Sequence, residues 1–489
     1  MMEKAENKKL LAHFDSKLMQ KYSKETKLVE KTDRLAISVS SPDDESIDFL
    51  LGVVEIPSSK GADQALTIQS ILEYYQLSEN VIGLVSDTTG SNSGRISGCV
   101  RLLSVHGFPH RAMMNFMCRM HMYERHIFHV DVVLQGKTTA PVRSSFAKFK
   151  EAWPVSIEKM ANFQAADIVK LDWSLPEFQP GTLIHDLLQE SKEFCLQALN
   201  NSTFIRGDHK YLCQLVVVYL GGEVDNFRFK QPGACHQARW FAVCIYQLVM
   251  VMTSNSSYIT GELLDMCKNA AVYISGYHAK FFLQAAMAAK APGNDLRSFH
   301  IAATLMADKS LKKIHRDMFQ ALYQSLHRHK WYLVPQMICL ALADPHLTEH
   351  ALNQKKKILE RLLELERPDS SEFDRELAEV IIVPTSGSEL HEFVDEQSYI
   401  LFDALGWSQD DIIELRDTIG DLVDSPSYSR LKSQINGLQV TNVMAERNIR
   451  LVSDFIMKNH DEDKLQDSLQ VVKKNRSEFP ANMTKKAFA

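Results

Sequence analysis

The 489-residue chain carries 55 Lys and Arg against 61 Asp and Glu, a formal net charge of −6, and 45% of its residues are hydrophobic. That balance describes a globular protein with a large core and room for two or three domains; it excludes a disordered polyelectrolyte and argues against indiscriminate nucleic-acid binding. The apolar runs at Tyr211–Leu220 and Trp240–Met252 are too short for a membrane span, the start MMEKAENKKLL lacks a signal-peptide core, and eight cysteines without a CxxC pair fit reduced thiols inside a cell.

In chain order, Leu10–Phe14, Arg34–Ser40 and Ile47–Ile56 read as three strands, with the turn-rich SPDDES between the second and third suited to a hairpin. Asp63 then caps a helix whose apolar stripe is Ala65, Ile68, Ile71 and Leu72. Val81–Val85 reads as a buried strand that ends at Asp87, and a helix is expected over Ser93–Ser104. Three strands, a helix, a fourth strand and another helix make the order of the ribonuclease-H-like fold, in which the first and fourth strands are neighbours.

From Phe146 onward the pattern turns to long amphipathic segments. Leu187–Asn200, Leu212–Leu220, Trp240–Thr253, Ile259–Ala289 and Leu352–Glu366 all predict helix, with loops near Trp173–Gly181, Asn226–Gly233 and Pro368–Ser371. Val380–Pro384 reads as a short strand, and Ser408, with Asp410 and Asp411 in the first turn, opens a further helix. The helix expected from Asn442 to Lys458 places Ala445, Ile449, Val452 and Ile456 on one face, with Glu446 and Arg447 beside it; Leu465–Val472 carries one more helical pattern. The predicted class is α/β plus α: a ribonuclease-H-like mixed sheet over 1–145, a helical insertion over 146–435, and C-terminal helices over 436–489 that complete the sheet domain.

Asp15 ends the first candidate strand and Asp87 the fourth, so neighbouring strands would bring both carboxylates to one sheet edge. Glu446 is the candidate third acid. Such a trio suits Mg²⁺ or Mn²⁺, hard cations that take oxygen ligands, and paired cations about 3.5–4 Å apart serve phosphoryl transfer. Taken singly, each acid has a plainer role: Asp after a strand is commonly a turn residue, and a helical Glu beside Arg a surface ion pair.

The chain also holds DTTGSN from Asp87, CRMHMYERHI with Cys118 and His121, HQARWFAVCIYQL with Arg239 and Trp240, and NVMAERNIRLVSDF with Glu446 and Arg447. This succession resembles transposases of the hAT superfamily and their transposon-derived relatives, from about Leu10 to the C-terminus. The resemblance implies a ribonuclease-H-like catalytic domain interrupted by a helical insertion, with Asp15, Asp87 and Glu446 as the catalytic, metal-binding acids. It implies Cys118 and His121 as a structural motif, and Arg239 and Trp240 as DNA contacts, the Trp stacking on bases. It further implies DNA as partner, multimers, and a nuclear or else cytoplasmic location. Ile449 and Arg450 stand where the family has an aromatic residue and a serine, and Asn92 falls one position late. The family's zinc-binding recognition domain precedes its first strand; with Asp15 so near the start, none is expected in this chain.

Charge is unevenly spread. Lys290–Lys330 holds eight Lys or Arg against three Asp, and Lys309, Lys312, Lys313 and Arg316 there are candidate DNA contacts; Glu364–Asp424 holds eighteen acids against three Arg. His315, His327 and His329 fit either a phosphate-facing surface or ordinary exposure. Cys118, His121 and His129 share helical spacing without the pairing of a zinc site, so zinc is not expected, and no glycine fingerprint for a nucleotide cofactor is present. Two functions remain: metal-dependent DNA strand cleavage and transfer, or a domesticated, non-catalytic DNA- or protein-interaction protein that keeps the fold.

Overall fold

Strand-forming sequence is concentrated near the start of the chain, where buried β-branched and aromatic residues line both faces of the central strands. The computed structural model describes residues 5, 7–22, 29–138, 140, 142–160, 167–201, 204, 206–231, 233, 241–255, 259, 261–369, 373, 383–385, 387–421 and 425–456. Five strands form one mixed sheet: β1 (Leu10–Tyr22), β2 (Val29–Ser40), β3 (Asp48–Ile56), β4 (Val81–Ser86) and β5 (Met114–Met117), in the order β3-β2-β1-β4-β5. β1 pairs antiparallel with β2 and β2 with β3, whereas β1–β4 and β4–β5 are parallel. The expected adjacency of the first and fourth strands is present.

Numbering the helices of ten or more residues, α1 (Gly61–Tyr74) covers one face of the sheet. It packs Ile68 and Leu72 into a core with Leu10, Ala12, Phe14, Leu35 and Ile37. On the other face Leu11, Val85 and Phe116 join a much larger core, continuous with the helical body. That body comprises α2 (Arg119–Gln135), α3 (Ser144–Met160), α4 (Leu183–Asn201), α5 (Gly207–Tyr219), α6 (Phe241–Met252), α7 (Gly261–Tyr273), α8 (Ala291–Ala307), α9 (Lys313–Arg328), α10 (Glu349–Leu363), α11 (Gln409–Thr418) and α12 (Pro426–Gly437). The last helix, α13 (Val443–Ile456), returns to lie against β1, β2 and β3. No helix among the described residues is long and apolar enough to cross a membrane.

Several elements differ from the sequence reading. β1 continues through Asp15 to Tyr22, paired with β2 throughout; the apolar run that marked the strand stops at Phe14 because DSKLMQKY, which follows it, is mostly polar. Asp15 therefore marks the end of the β1–β4 ladder, whose last pair is His13 with Val85, rather than the end of its strand. Asp63 lies in the first turn of α1, and Lys60 occupies the cap position. The helix expected over 93–104 is broken into one-turn pieces at Gly90–Ser93 and Cys99–Leu102, followed by a π-type turn at Leu103–Gly107. Gly94 and Gly98 explain the break: their backbones touch so closely that a Cβ on Gly98 would meet the Gly94 carbonyl. β5 has four residues, too few for an alternation to show. The stretch expected as one helix over 259–289 is α7, a π-type turn at Ile274–His278 and a short helix at Ala279–Leu283. Most of the strand expected at 380–384 and all of the helix expected at 465–472 lie outside the described residues.

Candidate active site

The parallel pairing of β1 with β4 sets two of the acids level with each other. Asp15 lies two residues beyond His13, Asp87 lies two beyond Val85, and His13 and Val85 are register partners. With a side-chain period of two, both carboxylates leave the same edge of the sheet on the same side. Asp15 is half-buried, and its carboxyl is pushed well above the ordinary aspartate range. Desolvation is the largest cause, and repulsion from Asp87 and Glu446 follows. Folding thus brings three acids into one another's field although 72 and 359 residues separate successive members.

Each acid is positioned differently. Asp87 Oδ1 accepts hydrogen bonds from the Thr89 amide (3.0 Å), the Thr89 hydroxyl (2.7 Å) and Asn92 Nδ2 (2.7 Å). These bonds fix the turn that follows β4 and engage one oxygen, with Oδ2 left for another partner. Glu446 is exposed in the first turn of α13, and that turn is tied to the sheet just ahead of it. Asn442 donates its amide N–H to Cys118 Sγ at 3.2 Å and its Nδ2 to the carbonyl of Phe14, the neighbour of Asp15, at 2.8 Å. The Arg119 amide donates to the Val440 carbonyl at 3.0 Å, and Asn448 Nδ2 to Ser38 Oγ at 2.6 Å. Glu446 reaches the sheet edge because these bonds hold the start of α13 there.

Cys118 caps α2 and is fully buried; burial first, then the nearby Glu446, drive its thiol far above the usual range, so it serves as a packed acceptor rather than a nucleophile. Burial lowers the basicity of His121 while Asp87 favours its charged form, which places this imidazole beside Asp87. The two motif residues therefore flank the acids, Cys118 toward Glu446 and His121 toward Asp87. Among the described residues no three His, Cys, Asp or Glu side chains stand close enough together to hold a metal ion. The trio feels mutual repulsion, but its side chains are not drawn into a ligand shell.

The other candidates are less concentrated. Arg239 and Trp240 lie outside the described residues. Lys312 pairs with Glu177 at 2.7 Å, Lys313 with Asp317 at 3.8 Å, and Arg316 donates to the Leu311 carbonyl at 2.6 Å; Lys309 is exposed. These four sit around the start of α9, about 24 Å along that helix from its other end, the end that meets α2. His315 is buried against Asn269 (3.0 Å) and His327 packs edge-on to Phe299 and Tyr323, so neither faces a ligand. Asn442 and Asn448 were silent in the sequence, where an asparagine beside a predicted helix reads as a cap. No family model matches the chain, and no curated protein matches it.

Proposed function

We propose that Asp15, Asp87 and Glu446 form the acidic centre of a ribonuclease-H-like, hAT-transposase-derived domain that acts on DNA phosphodiesters. The observation that carries this reading is the parallel register of β1 with β4, which sets Asp15 and Asp87 level at one sheet edge, within the field of Glu446 on α13. Carboxylates that repel one another at a sheet edge are a donor set short of positive charge, and three oxygen acids suit Mg²⁺ or Mn²⁺. A divalent cation bound there would activate the attacking oxygen and stabilise the leaving one. Asp15 and Asp87 would hold it from the sheet, and Glu446 would close over it from α13. The neutral His121 beside Asp87 would accept or donate a hydrogen bond at the same edge. The chemistry then consists of strand cleavage by water followed by attack of the freed 3′-hydroxyl, with positioning as the protein's main contribution.

A second reading has its own support. Asp87 Oδ1 is already committed to three donors, as in an ordinary turn, and the acids do not form a ligand shell. A non-catalytic interaction protein would look the same. The two separate in one experiment: metal-dependent nicking of hairpin and duplex-end DNA substrates, alongside thermal stabilisation by Mg²⁺. On the catalytic reading, millimolar Mg²⁺ raises the melting temperature and supports nicking, and Asp87→Ala abolishes both while still folding. Nicking by Asp87→Ala at the wild-type rate, or no response to Mg²⁺ in the wild type, leaves the interaction protein.

A further inference from the structure

Beside the acids lies a cluster of basic side chains in which two arginines hold no carboxylate among the described residues. His121, Arg125 and His129 follow one another at intervals of four along α2, on one stripe of that helix. The last turn of α9 packs against this stripe: Ser325 Oγ meets His126 Nδ1 at 2.9 Å, and the His126 and His329 rings stand edge to face at 5.8 Å. That contact brings Arg328 and His329 to the side of Arg125. Arg125 is half-buried with its guanidinium 4.5 Å above the Phe128 ring, and Arg328 is exposed.

Other arginines of this acidic chain are neutralised. Arg119, Arg143, Arg297, Arg367 and Arg430 each hold a carboxylate. Arg125 and Arg328 form no ion pair among the described residues; burial first, and the field of Arg328 second, weaken the hold of Arg125 on its proton. The same two arginines, with burial as the larger effect, hold His129 down to about 4, and His329 is likewise down to about 4, chiefly through burial, so both imidazoles are neutral donors or acceptors at neutral pH. Two guanidiniums with two neutral imidazoles, Arg328 exposed and the others half-buried, supply the charge and the hydrogen-bond donors that a phosphate group takes. His121 links the cluster to the acids, since it feels both Asp87 and Arg125.

We infer that Arg125 and Arg328 form a phosphate clamp for a nucleic-acid strand that runs from the α2–α9 seam into the edge carrying Asp15 and Asp87. This rests on the reading of that edge as a phosphodiester site. Backbone recognition of this kind is independent of sequence and salt-sensitive, and it needs no net basicity of the chain, only a local surplus of positive charge.

The test is anisotropy of a fluorescein-labelled single-stranded oligonucleotide, titrated with full-length protein in EDTA at several salt concentrations. Arg125→Ala/Arg328→Ala is expected to weaken binding at least about tenfold and to reduce the salt slope by about 1.4, the value for two lost phosphate contacts. Arg125→Lys/Arg328→Lys should keep most of the salt slope, and Arg361→Ala, on α10 with its guanidinium already paired to Glu364, should bind as wild type. Wild-type affinity and slope in the folded Arg125→Ala/Arg328→Ala protein would overturn the clamp. So would a wild type that is stabilised by inorganic phosphate yet binds no oligonucleotide, because the cluster would then serve a free anion. The acids are judged separately by the Mg²⁺ response of wild type and Asp87→Ala in the absence of DNA. Loss of that response with the arginine dependence intact removes the metal centre and leaves the clamp standing.

Discussion

At the scale of single residues, Asp15 ties the candidate site to measurable behaviour. Its carboxyl holds a proton more tightly in the folded chain than in the unfolded one, through burial first and Asp87 and Glu446 second. The stability linked to that proton is present below the ordinary aspartate range and is lost as pH climbs from there through the raised value. At neutral pH the wild type then carries unrelieved repulsion. Asp15→Asn should raise stability at pH 7.5 by roughly 1–2 kcal/mol, the scale of relieved repulsion between partly buried carboxylates, and should flatten the acid-side profile of melting temperature against pH. A variant less stable than wild type at pH 7.5, with the profile unchanged, would show that Asp15 is an ordinary strand residue. The sequence showed Asp15 and Asp87 as acids beside short apolar runs, and parity along paired strands is enough to place them together. It gave no sign of Asn442, because its role depends on a partner 428 residues away.

At the scale of elements, the seam between α2 and α8 decides how firmly the motif residues are held. Arg119 follows Cys118 directly and is fully buried, with its Nη2 2.8 Å from Asp295 of α8 and 2.9 Å from the Tyr123 hydroxyl. Its guanidinium also lies 4.8 Å from the Tyr332 ring, and the Tyr332 hydroxyl donates to the Met117 carbonyl at 2.8 Å. Asp295 keeps Arg119 charged despite complete burial. Asp295→Ala would strand that charge and should cost about 3–5 kcal/mol in urea melts, whereas Arg119→Met/Asp295→Leu should lose far less. A mild single variant would mean that water reaches the seam. Elements of this region were legible where periodicity was long: the helices of the body follow from apolar spacing, and β4 from its compact apolar run. The pieces after Asp87 were not, since the 93–104 segment has helical spacing and the veto comes from Gly94 and Gly98 packing backbone on backbone. β5 was missed for want of length, and the extension of β1 because its sequence past Phe14 is mostly polar.

For the whole molecule, the connection that matters runs from one end of the chain to the other. The Asn442 side chain bonds to the Phe14 carbonyl across a sequence separation of 428, and its amide bonds to Cys118 across 324. Asn442→Ala removes the buried Nδ2 donor that serves the Phe14 carbonyl and keeps the backbone N–H that serves Cys118. It should cost about 1–3 kcal/mol and, by loosening Glu446, reduce the Mg²⁺-induced rise in melting temperature more than it reduces the melting temperature itself. An equal loss in both would assign Asn442 to packing alone. The contact also sets an order of events during synthesis. β1 and its partner strands are made first, but Glu446 lies 360 residues beyond the end of β4, and closing so long a loop must wait for the helices between to condense. A nascent or prematurely terminated chain thus has its sheet and its first two acids but no third. The acidic centre proposed at this edge is therefore assembled only after Glu446 has been made and α13 has docked on the sheet.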